Sequence, residues 1–176
     1  DDVTFRLWAP AARRVELVHE RRAHEMARSD DGWFKLTVPN VHSGLRYRFR
    51  IDGETEVPDP ASRANPDDVH APSMVVDATA YDWTDGDWRG RPWHEAIVYE
   101  LHVGTFTPEG TFAAASARLD HLVSLGITAI ELMPVADFAG TRNWGYDGVL
   151  LYAPGAGYGT PADLKHLVDA AHRAGL

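Results

Sequence analysis

The 176-residue sequence contains no cysteine, which excludes disulfides, a thiolate nucleophile and thiolate-ligated metals, and leaves the redox compartment undecided. No apolar run approaches the roughly 18 residues that would suggest a membrane-spanning helix, and no charged stretch followed by an apolar one marks a secretion signal. Because the first residue is Asp1 rather than Met, a processed start is compatible with the sequence. The net charge is −9 and no Lys/Arg block interrupts it. Nucleic acid and anionic membranes both reward clustered positive charge, so neither is expected as a partner. Internal repeats and low-complexity segments are also missing. The histidines are scattered, and none forms a His-x-x-x-His pair beside a carboxylate on a helical face, so no metal site is expected. What remains is the ordinary composition of a soluble globular protein, long enough for one large or two small domains.

The first half reads as short strands. Val3 to Trp8 alternates, with Val3, Phe5 and Leu7 on one face and Thr4, Arg6 and Trp8 on the other, and Ala9-Pro10 closes it. Val15 to His19, Trp33 to Val38 and Arg46 to Ile51 follow, the last with Tyr47, Phe49 and Ile51 opposite three arginines. Asp30-Asp31-Gly32 and Asp52-Gly53 supply turn chemistry, Asp-Gly being a strong hairpin signal. Turn signals about every ten residues without a helical period predict a small antiparallel β-sandwich. Val57 to Pro72 is too rich in proline for a sheet and predicts an irregular connection. Ser73 to Asp77 offers a last strand. Tyr81 to Trp93, with three tryptophans among Asp, Gly and Arg, reads as a connector stapling two domains.

At Ala96 the pattern changes. Ala96 to Val103 predicts a buried strand and Phe112 to Leu125 a helix, with Phe112, Ala115, Leu119 and Leu122 inward and Gly126 as its stop. Ile127 to Val135 is nearly continuous apolar sequence, as in a strand covered on both faces. Ala136 to Gly159 reads as a long loop. Thr160 to Asp163 then forms a capping box with Pro at the first helical position, opening a helix whose stripe is Leu164, Leu167, Val168 and Ala171. Strand, helix, strand, loop, helix is the unit of a parallel α/β fold. A barrel of that kind needs eight such units and about 250 residues. The expected architecture is therefore multi-domain: an immunoglobulin-like antiparallel β-sandwich over 1–80, a linker over 81–95, and over 96–176 the first two βα units of a (β/α)8 TIM barrel left incomplete in this chain. An open two-strand sheet is the alternative, at the cost of unpaired edges.

The stretch Asn143 to Tyr152 holds the densest chemistry. Aromatic faces of Trp144 and Tyr146 can stack on the C–H surface of a pyranose, and the side chains of Asn143 and Asp147 can exchange hydrogen bonds with ring hydroxyls. A rigid loop that uses these residues only for packing and for its own turn hydrogen bonds stands beside that reading. Glu131 in the second strand reads as a paired structural carboxylate. His102 either faces a ligand at the end of the first strand or is hydrogen-bonded in the core. Asp137 and Asp147 on one loop make a poor acid–base pair without rigid support. Gly155, Gly157 and Gly159 do not bridge a strand to a helix over a phosphate, so no dinucleotide or other cofactor is expected.

Several of these segments together resemble the α-amylase superfamily of glycoside hydrolases. They are Tyr99-Glu100-Leu101-His102-Val103-Gly104-Thr105-Phe106, Leu125 to Pro134, Trp144-Gly145-Tyr146-Asp147-Gly148, and Tyr152-Ala153-Pro154 with Tyr158-Gly159. Phe5-Arg6-Leu7-Trp8-Ala9-Pro10 resembles the sandwich that precedes the barrel in the branching, debranching and trehalose-forming members. The trehalose-forming members are the nearest, through Pro58 to Arg63, Val69 to Asp77 and Gly104 to Phe112. The resemblance covers essentially the whole chain and implies a cytoplasmic enzyme that cleaves the α-1,4 bond next to the terminal trehalose unit of maltooligosyl trehalose, paired with a synthase that makes this substrate. Such retaining enzymes use two carboxylates about 5 Å apart. The superfamily carries them on later barrel strands, so no catalytic residue is transferred to this chain. Tyr146 matches the tyrosine stacking under the sugar at the cleaved bond, with Asp147 beside it, and Trp144 and Asn143 are further substrate contacts. A branching or debranching enzyme is the alternative within the superfamily. In another class, the chain is a non-catalytic α-glucan-binding module with Trp8 and Trp33 as candidate platforms, although each reads more readily as a core residue.

Overall fold

The computed structural model describes residues 2–176. Its contacts fall into two units, one ending at Asp77 and one beginning at Ala78.

The first unit is built from β1 (Val3–Trp8), β2 (Val15–His19), β3 (Arg22–Glu25), β4 (Ala27–Arg28), β5 (Trp33–Val38), β6 (Arg46–Ile51), β7 (Thr55–Val57) and β8 (Ser73–Met74). One sheet has the order β1-β5-β4; the other runs β3-β2-β6-β7, with β8 also paired to β6. All pairings are antiparallel. The inward residues of both sheets form one core: Phe5, Leu7 and Phe34 from the first, Val15, Leu17, Tyr47 and Phe49 from the second. The Phe5 and Tyr47 rings meet edge to face with centroids 4.8 Å apart, a favoured aromatic geometry that adds to the area term. This is the β-sandwich the alternation predicts.

Asp52 and Gly53 both take positive φ, and Glu54 N–H donates to the Ile51 carbonyl at 3.1 Å, which is the turn expected of Asp-Gly. The Asp52 carboxylate also accepts from the Arg13 and Arg14 backbone N–H groups at 2.9 Å each. The β2–β3 hairpin carries no such signature: Glu20 and Arg21 occupy positive φ themselves. The proline-rich connection is ordered by a polar cluster. Tyr47 donates to the Asp59 carboxylate at 2.7 Å, and Ser73 Oγ accepts from Asp59 N–H and donates to Asn65 Oδ1. Pro58 to Arg63, one of the segments carrying the resemblance, is thus held by these bonds.

The second unit contains β9 (Val98–Leu101), α1 (Val103–Phe106), α2 (Phe112–Ser116), α3 (Leu119–Ser124), β10 (Ala129–Leu132), β11 (Ala136–Asp137), β12 (Leu150–Pro154) and α4 (Pro161–Arg173). β9 and β10 are parallel, in register from Val98↔Ala129 to Leu101↔Leu132, and the helices α1 to α3 make the crossover that a parallel pair requires. The single predicted helix over 112–125 is instead two. Arg118 N–H bonds to the Ala115 carbonyl, an i→i−3 contact, and the Ser116 hydroxyl competes for the Phe112 carbonyl, which tightens and breaks the helix there. Phe112, Ala115, Leu119 and Leu122 are nevertheless all buried, in one core with Leu101, Val103, Phe138, Tyr158 and Leu167. α4 opens with the predicted capping box: Thr160 Oγ1 accepts from Asp163 N–H, and the Asp163 carboxylate accepts from Thr160 N–H at 2.8 Å.

The segment expected as an unbroken loop over 136–159 contains β11 and β12, an antiparallel pair with a register shift. Two-residue β11 is too short to show a period. The tryptophan-rich stretch 81–91 runs along α4. Buried Asp169 accepts from Thr84 N–H, the Thr84 hydroxyl and Arg173. Burial pushes this carboxyl up, and those donors outweigh it, leaving its pKa below the usual range. Trp88 stacks on His172 at 4.9 Å, and Arg91 donates to the Gly175 carbonyl.

Candidate functional site

A hollow of about 860 Å³ opens where β9 and β10 end, lined by His102, Glu109, Met133, Arg142, Asn143 and Trp144 among others. It is built from segments far apart in sequence. His102 follows β9 directly and caps α1, so its ring is fixed by a strand end and a helix start. Its Nε2 lies 2.6 Å from the Asn143 carbonyl oxygen. A carbonyl can only accept, so Nε2 carries the hydrogen. The Thr105 hydroxyl stands 3.5 Å from Nδ1. The Tyr158 oxygen stands 3.3 Å from the same Nε2, and burial raises the Tyr158 phenol pKa. The histidine thus anchors the 143 backbone while lining the hollow, so it has features of both readings the sequence leaves open.

The Asn143-to-Asp147 segment is shaped by its own side chains. Asn143 Oδ1 accepts from Gly145 N–H, and its Nδ2 donates to Asp147 Oδ2 at 3.3 Å. Gly145 sits at φ +103°, and a Cβ there would lie 2.5 Å from the Pro134 carbonyl oxygen, so only glycine lets the chain pass so close. The two aromatics on either side of this glycine are thrown outward: Trp144 is 81% and Tyr146 69% exposed. Neither ring is buried by the rest of this chain. Asn143 and Trp144 line the hollow; Tyr146 and Asp147 stand outside its lining, Asp147 being exposed and tied to Asn143.

The other carboxylates fall differently from expectation. Asp137 is buried, and its Oδ1 accepts from Ala156 N–H at 3.1 Å. Glu131 is exposed, not interior, and lies in register with the equally exposed Glu100 of β9. Sequence reasoning passed over Glu109 and Arg142, two charged side chains on the hollow. Their only signal was position, one shortly after the first strand's end and one beside Asn143. An exposed indole, a guanidinium, a carboxylate and an amide together suit a neutral polyhydroxylated ligand, with stacking for its C–H face and charged donors and acceptors for its hydroxyls. Among the described residues the set pairs no nucleophile with a base.

Residues 1–69 match the family described as carbohydrate-binding module 48 (isoamylase N-terminal domain). The whole chain is similar to the malto-oligosyltrehalose trehalohydrolases of the α-amylase superfamily. It is 51% identical to the Deinococcus radiodurans protein of that name over 98% of the chain and 28% of the relative. With the Saccharolobus solfataricus protein the identity is 46%, over 100% of the chain and 31% of the relative. A crystal structure from Salmonella typhimurium, provisionally classed as an α-amylase, superposes with a TM-score of 0.98 at 54% identity, covering 100% of this chain and 30% of that one. The chain thus spans about three-tenths of the length of the proteins it matches.

Proposed function

We propose that this chain belongs to a glycoside hydrolase that releases trehalose from maltooligosyl trehalose by cleaving the adjacent α-1,4 bond. In this reading residues 1–80 are the accessory sandwich, 81–95 a linker, and 96–176 the first two βα units of a (β/α)8 barrel. Cleavage by two carboxylates about 5 Å apart falls to residues outside this chain, whose own part is to bind and orient the glucan. The parallel β9–β10 pair with its hollow at the strand ends supports the barrel reading, because active sites of such barrels lie at that end.

The observation that carries the functional reading is the identity with trehalohydrolases over 98% of the chain, joined to a loop that presents Trp144 and Tyr146 to solvent with a fixed backbone. Tyr146 stacks beneath the sugar at the cleaved bond, Asp147 stands beside it, and Trp144 and Asn143 border the neighbouring sugar positions. The substrate's terminal trehalose unit requires a prior rearrangement of a maltooligosaccharide end, so a maltooligosyl trehalose synthase acts immediately upstream, in the same cytoplasm.

Kinetics of the complete protein test this. Tyr146→Ala should lower kcat/KM for maltooligosyl trehalose by about 10²-fold, the loss expected when a reacting sugar is held out of position, with the fold intact because the ring is exposed. An unchanged rate would remove Tyr146 from the substrate contacts.

A further inference from the structure

Tyr158 carries a proton that the fold leaves unused. The residue lies in the turn between β12 and α4 and is 5% exposed. Its ring is boxed in, with the Phe138, Phe112 and His102 rings at centroid distances of 5.6, 5.9 and 5.9 Å. Glycine keeps the remaining space: a Cβ on Gly104 would come to 3.0 Å from both the Tyr158 and the His102 rings, closer than packing tolerates. The phenol oxygen stands 3.3 Å from His102 Nε2. That nitrogen carries a hydrogen, because it also faces the Asn143 carbonyl at 2.6 Å and a carbonyl only accepts. This holds for the neutral and the protonated ring alike. Nε2 has no lone pair to offer, so the Tyr158 oxygen can only accept from it. The phenol's own proton is left over, and among the described residues the hydroxyl has no other partner. Burial raises the phenol pKa, which keeps the proton in place at neutral pH. A donor buried this deeply is costly unless something accepts from it.

We infer that Tyr158 is a further substrate contact, its hydroxyl donating to one hydroxyl oxygen of the glucan held in the hollow. The inference rests on the proposed function and deepens it. Tyr158, His102, Gly104 and Asn143 all line the hollow, so the phenol oxygen stands among groups on its wall. The aromatic box fixes the ring, and the bond from His102 restricts the directions left to the hydroxyl proton. A donor set in advance needs little further ordering when the ligand arrives. It reads one ligand oxygen, whereas a stacking face takes any pyranose alike. Tyr158 therefore sets which sugar hydroxyl is held, and with it the placement of the chain over the hollow.

The test is calorimetric titration of the complete protein with maltotetraose, and with analogues of it that each lack one hydroxyl, comparing the parent with Tyr158→Phe. The variant keeps the ring in its aromatic box and removes only the hydroxyl; melting curves check that it is folded. Tyr158→Phe should weaken maltotetraose binding about fivefold, the loss of one neutral hydrogen bond. The parent should bind one deoxy analogue more weakly by a similar factor. Tyr158→Phe should bind that analogue and intact maltotetraose equally, since both changes remove the same bond. The proposal is overturned if the parent shows no binding, if the variant binds like the parent, or if no analogue loses affinity on the parent. It is equally overturned if the variant is weakened yet discriminates among the analogues as the parent does, which would assign its effect to ring packing. Trehalose release is followed separately on the same samples. A parent that binds as predicted and releases no trehalose contradicts the proposed reaction and supports the Tyr158 contact.

Discussion

His19 shows how much a single side chain can carry in the sandwich. Its ring stacks on His24 at 4.8 Å with 15° between planes, and neither of its nitrogens has a hydrogen-bond partner. Burial, and then the neighbouring His24, lowers its pKa, with Arg22 adding to the effect and Glu20 opposing it. A base whose folded pKa is depressed binds its proton more readily when unfolded. The stability it permits is complete above its ordinary value near 6.5 and is lost as pH falls through that value toward the folded one. The melting temperature should therefore fall as pH drops from about 7.5 to 5.5, in a window set by the imidazole. His19→Phe, which keeps the stack and removes the proton, should flatten that slope in thermal unfolding followed by circular dichroism. An equal slope in the variant would assign the pH dependence elsewhere.

At the scale of elements, what was legible in the sequence followed from local rules, and what was not came from distant partners. β1, β2, β5 and β6 are readable because their alternation is clean, and Asp52-Gly53 because its residues need positive φ. β3 was not, since Arg22 to Glu25 has no apolar alternation and its turn uses Glu20 and Arg21 in an unusual conformation. β11 and β12 pair across twelve intervening residues, so neither has a local signal. The site divides the same way. Asn143 to Asp147 is a compact motif, but the hollow beside it needs His102, 41 positions away from its partner Asn143. Gly145 joins the two. Gly145→Ala should cost more than about 1 kcal/mol, because alanine is strained at positive φ and its methyl would strike the Pro134 carbonyl. It should also displace Trp144 and Tyr146, so that substrate turnover falls in parallel with stability in denaturant titrations. Full activity with reduced stability would separate the loop's shape from substrate binding.

For the whole molecule, the charge of −9 offers no attraction to polyanions and costs nothing with a neutral glucan, for which stacking and hydrogen bonds carry recognition. The second unit contributes a hollow at the ends of its parallel strands, lined by Trp144, with Tyr146 exposed two residues further on. The most direct measurement is product analysis by chromatography of the complete protein incubated with purified maltooligosyl trehalose. Free trehalose, with the maltooligosaccharide shortened by the corresponding unit, is the predicted result. A branched glucan, freed side chains, or no trehalose would contradict the account.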